Sequence, residues 1–161
     1  MNKLLPIFLL GLMLFSCGDD NNNNPVISYE EQLAIDNEII EEYLSTNNLT
    51  AEEGDFGLRY IIQEEGTGED FPTQVSTVVV KFKGYYTDGV VFDERDIFQV
   101  GLGSLGAELS GWRLGIPLLK KEGKGTFILP SSLGYGPFPR AGVVVPPNQV
   151  VIFDIELITF E

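Results

Sequence analysis

Two hydrophobic periods divide the chain. Between residues 29 and 46, Ile35, Ile39, Ile40, Tyr43 and Leu44 recur at helical spacing, and Ser28 with Glu31 three positions on has the form of a capping box. The pattern predicts one amphipathic helix over about 29–46. Its apolar stripe has to be covered, either by the domain behind it or by a second copy of itself in a homodimer. From Gly57 onward the period is two, punctuated by Gly and Pro. Leu58, Tyr60 and Ile62 mark a first strand, and Val78, Val80 and Phe82 mark a second within Thr77–Thr87. Asp88-Gly89 supplies a tight hairpin turn, with Val90-Val91-Phe92 as the returning strand. Phe98-Gln99-Val100 reads as a separate short strand, Gly125–Leu129 as another and Gln149–Thr159 as the last, with Val151, Phe153, Ile155 and Leu157 on one face. The run after Trp112 is a brief helix, since Pro117 removes a backbone donor and Gly123 ends the segment. The expected fold class is α+β: an antiparallel sheet of five to six strands half-wrapped around one short helix and preceded by the amphipathic helix.

Before these elements, Lys3 leads into the apolar run Leu4–Phe15, followed by Ser16 and Cys17. A charged start, an apolar run of that length and a small-residue exit describe a secretory signal, too short to span a bilayer as a helix. Leu14-Phe15-Ser16-Cys17 is similar to a bacterial lipobox, which makes Cys17 the expected site of lipidation and the first residue of the mature chain. Gly18-Asp19-Asp20 and four asparagines follow, too polar to bury a core, and they read as a solvated tether. The expected organisation is a signal at 1–16, a tether at 17–28, a helix and linker at 29–53 and the main domain at 54–161. Acidic residues just after the cysteine resemble a surface-display signal of Bacteroidetes lipoproteins. The expected location is therefore the cell envelope, on the outer membrane, at its periplasmic face or the cell surface.

Composition narrows the chemistry. Residues 17–58 hold eleven Asp and Glu and no Lys or Arg, while residues 59–161 hold thirteen acids against nine bases. Loss of Lys3 with the signal leaves a net charge of −15, from 24 acids and nine bases. Such a surface argues against nucleic acid and against anionic lipid, so the expected membrane link is the lipid anchor alone. With no histidine and one cysteine in the chain, Ser-His-Asp and Cys-His catalysis are excluded, as are histidine-based metal sites and an intramolecular disulfide. Gly101–Gly106 contains no phosphate-binding pattern, and no cofactor is expected. Asp93-Glu94 and Asp154-Glu156 fall where strand and turn geometry favours solvated or backbone-bonded acids, so hydrolysis by paired carboxylates is a poor reading.

The remaining chemistry lies in the rings. Trp112, the only tryptophan, opens the short helix in Leu109-Ser110-Gly111-Trp112. A lone tryptophan is first of all a core side chain. Phe82, Phe92, Phe98, Tyr135 and Phe153 nevertheless lie in strands and loops able to converge on it, which points to a ring-lined pocket. The loop Ser131–Pro147 is long and apolar, either a cover for the sheet edge or a functional loop.

Val80-Lys81-Phe82-Lys83-Gly84, Asp88-Gly89 with Phe92-Asp93, Leu109-Ser110-Gly111-Trp112, Tyr135-Gly136, Val145-Pro146-Pro147 and Val151-Ile152-Phe153-Asp154-Ile155-Glu156-Leu157, in that order, resemble the FKBP-type peptidyl-prolyl isomerases across residues 57–161. The resemblance implies a pocket between sheet and helix. Its catalytic set is Tyr135 as hydroxyl donor, Asp93 as the polar edge, Trp112 as floor and Phe92 as wall. Phe82, Phe98, Leu109, Val145 and Phe153 complete the substrate-binding lining, with Leu109 and Val145 as rim. Implied partners are proline-containing polypeptides and macrolide immunosuppressants. Three departures stand out: Phe82 replaces the usual tyrosine, Glu108 stands where the family has valine, and an extra residue before Pro146 leaves the loop tip Pro137–Arg140 without a counterpart. Three readings follow: a lipid-anchored prolyl isomerase, a weakly catalytic peptide-binding or chaperone module, and an envelope interaction protein in which helix and tether are the point. The anchor can be tested first. Metabolic labelling with a fatty acid should mark the wild type and not Cys17→Ser, and equal labelling of both would end the idea.

Overall fold

The computed structural model describes residues 27–104 and 109–161. Cys17, its tether up to residue 26 and Glu108, with the expectations attached to them, lie outside the described residues. Helix α1 spans Tyr29–Thr46 as the periodicity predicts, and its capping box is formed: Glu31 N–H donates to Ser28 Oγ at 3.2 Å and Ser28 N–H to a Glu31 carboxylate oxygen at 2.9 Å. The strands are β1 Glu52–Glu53, β2 Arg59–Glu64, β3 Thr77–Tyr85, β4 Val91–Gly101, β5 Lys124–Leu129 and β6 Val151–Phe160, and the second helix is α2, Ser110–Gly115. They form one antiparallel sheet of six strands in the order β1-β2-β5-β6-β3-β4. Two-residue β1 was too short for any periodicity to announce.

One expectation about the hairpin is corrected. Val91-Phe92 and Phe98–Val100 belong to one strand, β4, interrupted by a bulge, while Val90 lies just before it: Val80 faces Phe98 and Phe82 faces Arg95, so Asp96 and Ile97 stand opposite Lys81 alone. The extra residue breaks the alternation that a period-two reading requires, which is why the strand reads as two pieces. The turn is a three-residue connection, with Gly89 N–H donating to Tyr86 C=O and Tyr86 N–H to Val90 C=O. Gly89, at φ 85°, takes the left-handed position that this loop places before the returning strand.

The inner face of the sheet is covered throughout, and α1 covers the outer face over β5 and the start of β6, leaving Lys81, Lys83 and Glu94 exposed. On the inner face Val78, Val80, Phe82, Phe127, Leu129, Val151, Phe153, Ile155 and Leu157 pack with Trp112 and Ile116 into the main core. Helix α2 lies close on this face because Gly111 and Gly115 point at it. A Cβ at Gly111 would sit 2.5 Å from Leu129 Cδ2, and one at Gly115 would sit 2.5 Å from Phe127 Cδ1. On the outer face Ile128, Val150 and Ile152 receive Ile40 and Leu44 of α1. The amphipathic stripe therefore docks on its own domain. Ile39 and Tyr43 are half-buried at its margin, while Ile35 remains exposed. Ile40 is fully buried among β-branched neighbours that collapse poorly into a vacated space. Ile40→Ala should accordingly cost roughly 2–4 kcal/mol, read as a lower midpoint in urea denaturation; an unchanged midpoint would show that α1 is not docked in solution.

Candidate functional site

The inner face carries a cluster of rings packed almost entirely edge to face. Trp112 stands 5.0 Å from Phe82 and 5.3 Å from Phe153 between ring centroids, at 75° and 88°. Phe98 meets Phe82 at 5.6 Å and Trp112 at 6.2 Å, and Phe92 meets Phe153 at 5.6 Å. Tyr135 closes the series, 6.1 Å from Phe92. Such contacts set the positive edge of one ring against the negative face of the next and resist rotation of either. Phe82, Trp112 and Phe153 are buried and form the base, while Phe92, Phe98, Leu109 and Tyr135 are half-buried at the opening.

Backbone features place each wall. Phe82 and Phe153 project inward because β3 and β6 pair in register, Phe82 opposite Ile155 and Gly84 opposite Phe153. Gly84 is the notch that admits two rings: a Cβ there would lie 2.7 Å from Phe92 Cζ and 2.8 Å from Phe153 Cε1. The bulge opposite Lys81 brings Phe98 to the inner face. Leu109 enters α2 at φ 59°, a left-handed conformation that leucine rarely holds, and its N–H donates to Gly134 C=O at 3.0 Å. Strain at this position is therefore offset by a bond to the loop that carries Tyr135.

That loop is organised around one carbonyl. Ser131 C=O accepts from Gly134 N–H at 3.1 Å and Gly136 N–H at 2.9 Å, holding both residues that flank Tyr135. Gly136 C=O in turn accepts from Asn148 N–H at 2.9 Å. Val145, expected at the rim, is buried in the core at 3% exposure, and the exposed edge beside it is Val144.

Asp93, the expected polar edge, is half-buried and paired with Arg95, whose Nε lies 3.4 Å from Asp93 Oδ1. The Arg95 guanidinium also covers the Phe98 ring at 5.4 Å, an arrangement that shields the ring from water on one side. Two wall residues went unnoticed in the sequence. Tyr86 lies 5.1 Å from Phe92, and its hydroxyl donates to Val144 C=O at 3.4 Å, linking the β3–β4 hairpin to the far side of the opening. Partial burial, with the negative charge of Asp88 nearby, raises the pKa of this hydroxyl, so it remains a donor at any ordinary pH. Arg95 is the other. Their only sequence signal is position: one residue before Thr87-Asp88-Gly89, and two residues after Asp93.

Asp154, expected to be solvated or backbone-bonded, instead accepts from two side-chain hydroxyls on the outer face, Thr126 at 2.6 Å and Tyr85 at 3.2 Å. Burial and the charge of Asp154 drive the Tyr85 pKa far up, holding it protonated. Among the described residues no group of three or more His, Cys, Asp or Glu is placed to hold a metal ion. The site thus offers a cluster of rings with buried members at its base and half-buried members at its margin, one tyrosine beside Phe92 and one ion pair at its edge.

Comparison with known proteins agrees with this geometry. The family model described as FKBP-type peptidyl-prolyl cis-trans isomerase matches residues 68–158. The Escherichia coli protein named FKBP-type peptidyl-prolyl cis-trans isomerase FkpA is 39% identical over 104 residues, covering 63% of this chain and 37% of that protein. FK506-binding protein 1 of Candida glabrata is 35% identical over 97 residues, covering 58% of this chain and 83% of its own length. The crystal structure of Escherichia coli FkpA superposes with a TM-score of 0.67 at 30% identity, covering 83% of this chain and 62% of that one. The chain therefore spans little more than a third of the length of the curated FkpA relatives it matches. Six antiparallel strands about a short helix, the ring cluster between them and a family match over more than half the residues lead to one assignment: the chain belongs to the FKBP-type peptidyl-prolyl cis-trans isomerase family.

Proposed function

We propose that the chain is a peptidyl-prolyl cis-trans isomerase that acts on proline-containing segments of exported or envelope proteins, held to the membrane by a lipid on Cys17. The observation that carries the reading is the cluster of edge-to-face rings formed by Phe92, Phe98, Trp112 and Phe153 on the inner face of the sheet. Rotation about an X–Pro bond requires the loss of amide resonance, a barrier of roughly 18–20 kcal/mol for peptide bonds. It requires no nucleophile and no metal. A planar amide separates more charge than a twisted one, so transfer from water to apolar rings disfavours the planar form selectively. Uncatalysed exchange takes tens to hundreds of seconds. Reaching milliseconds means lowering the barrier by about 6 kcal/mol.

Each residue has a place in that task. Trp112, Phe82 and Phe153 form the apolar bed for the proline ring, and Phe92, Phe98 and Val145 close its sides. Tyr135 donates from its hydroxyl to a substrate carbonyl, and the backbone near Leu109 orients the extended peptide. Asp93, with Arg95 across it, supplies the polar edge. The same bed suits macrolide ligands of the FK506 type, as the name of the Candida glabrata relative suggests.

NMR exchange spectroscopy on the full chain decides the matter. It should accelerate cis/trans exchange of a peptide with an apolar residue before proline more than one with an acidic residue there, given the rings and a net charge of −14. Tyr135→Phe should lower kcat/KM about two- to tenfold, the effect of one hydrogen bond contributing about 0.5–1.5 kcal/mol, with little loss of stability. Phe82→Tyr should leave activity level or raise it. Binding of proline peptides without acceleration of any of them would replace the isomerase with a peptide-binding module, a reading that the missing hydroxyl at Phe82 favours.

A further inference from the structure

Helix α1 does more than cover the outer face. Its residue Asp36 is completely buried, and its carboxylate is met by three donors: Gln32 Nε2 at 2.8 Å on Oδ1, and on Oδ2 the backbone N–H of Ser131 at 2.8 Å and the Ser131 hydroxyl at 2.6 Å. A buried carboxylate is costly unless its oxygens are occupied, and here two of its three bonds come from a single residue 95 positions away.

Ser131 begins a short 3-10 turn, Ser131–Leu133, whose preceding residue is Pro130, which makes no side-chain cap. The first N–H groups of such a turn lack partners within it. Asp36 supplies the missing cap from another element, across the junction between α1 and the domain. The same Ser131 carries the carbonyl that holds Gly134 and Gly136 on either side of Tyr135, and Gly134 C=O accepts from Leu109. A continuous series of hydrogen bonds therefore runs from the middle of α1 to Gly134 and Gly136, the two residues that flank Tyr135, and on to the left-handed Leu109.

We propose that Asp36 is a positioning residue for the proline site: by capping Ser131 it fixes the loop that presents Tyr135 and the rim that Leu109 forms, so that docking of the N-terminal helix sets how tightly the site grips its peptide. The inference rests on the isomerase reading for its kinetic part only. Apolar docking and site positioning are separable along the helix, because Leu44 is two turns away and touches the sheet rather than the loop.

The experiment compares Asp36→Asn, Ser131→Ala and Leu44→Ala in the full chain. In Asp36→Asn one carboxylate oxygen is replaced by an amide donor, which cannot accept from Ser131 and Gln32 as the carboxylate does. The amide resonances of Ser131, Gly134, Gly136 and Leu109 should shift, and the Ser131 and Gly136 amides should exchange with solvent at least about tenfold faster. Proline-peptide turnover should fall by roughly three- to tenfold in kcat/KM, in the range of remote coupling effects. The loss should be carried by KM, since a loosened grip weakens ground and transition states alike. Ser131→Ala, which deletes the hydroxyl bond and keeps the amide, should move the same resonances less and guards against a misfolded Asp36 variant. Leu44→Ala should lower stability and leave them in place. Wild-type loop resonances in Asp36→Asn, or equal displacement of the loop by Leu44→Ala, would overturn the proposal. Absence of turnover in the wild type would instead remove the isomerase reading, while the resonance and exchange arms still decide whether Asp36 positions the loop.

Discussion

The indole of Trp112 is the contact on which the inner side of the molecule depends. It is 1% exposed, is met edge to face by Phe82, Phe98 and Phe153, and belongs to a helix of only six residues. A helix that short has no stability of its own. It persists because Gly111 and Gly115 let it approach Leu129 and Phe127 closely enough for the indole to reach between the strands. The ring that fixes the helix is therefore also the base of the recess. Core and candidate site are one set of contacts, so the rigidity of the ring cluster comes from the packing that folds the domain.

The sides of the recess come from irregular backbone. A bulge in β4, a glycine notch at Gly84 and a left-handed Leu109 each depart from regular strand or helix, and each brings a side chain to the opening. Regular pleating would send alternate residues to opposite faces and could not gather Phe92, Phe98 and the Asp93–Arg95 pair at one mouth. These irregularities persist because their surroundings hold them: Lys81 meets Asp96 across the bulge at 2.7 Å, and Gly134 C=O accepts from Leu109.

The outer face shows how the N-terminal helix becomes part of the same body. Ile40 and Leu44 cover apolar surface on β5 and β6, while Tyr85, Thr126 and Asp154 form a polar network beside them. Asp36 adds a directional bond to the loop that follows β5. Apolar burial alone tolerates sliding. A carboxylate bound to one backbone N–H does not.

What the sequence determined by itself were the features that follow from local period and local chemistry. Ser28 and Glu31 specify where α1 starts, alternation in β3 and β6 specifies which side chains face inward, and a domain without histidine or cysteine cannot support the usual nucleophilic triads. The resemblance of the motifs to the FKBP family then identified Phe92, Trp112, Tyr135 and Phe153 as a group, and the structure brings those four together. Tertiary structure alone decided the rest. The β4 bulge, the burial of Val145 beneath the rim, the contributions of Tyr86 and Arg95 and the reach of Asp36 to Ser131 all depend on register or on partners far along the chain. Periodicity reports which face a residue occupies within its own element. It carries no information about which distant backbone group that residue will meet, because such a contact is set by how the elements pack.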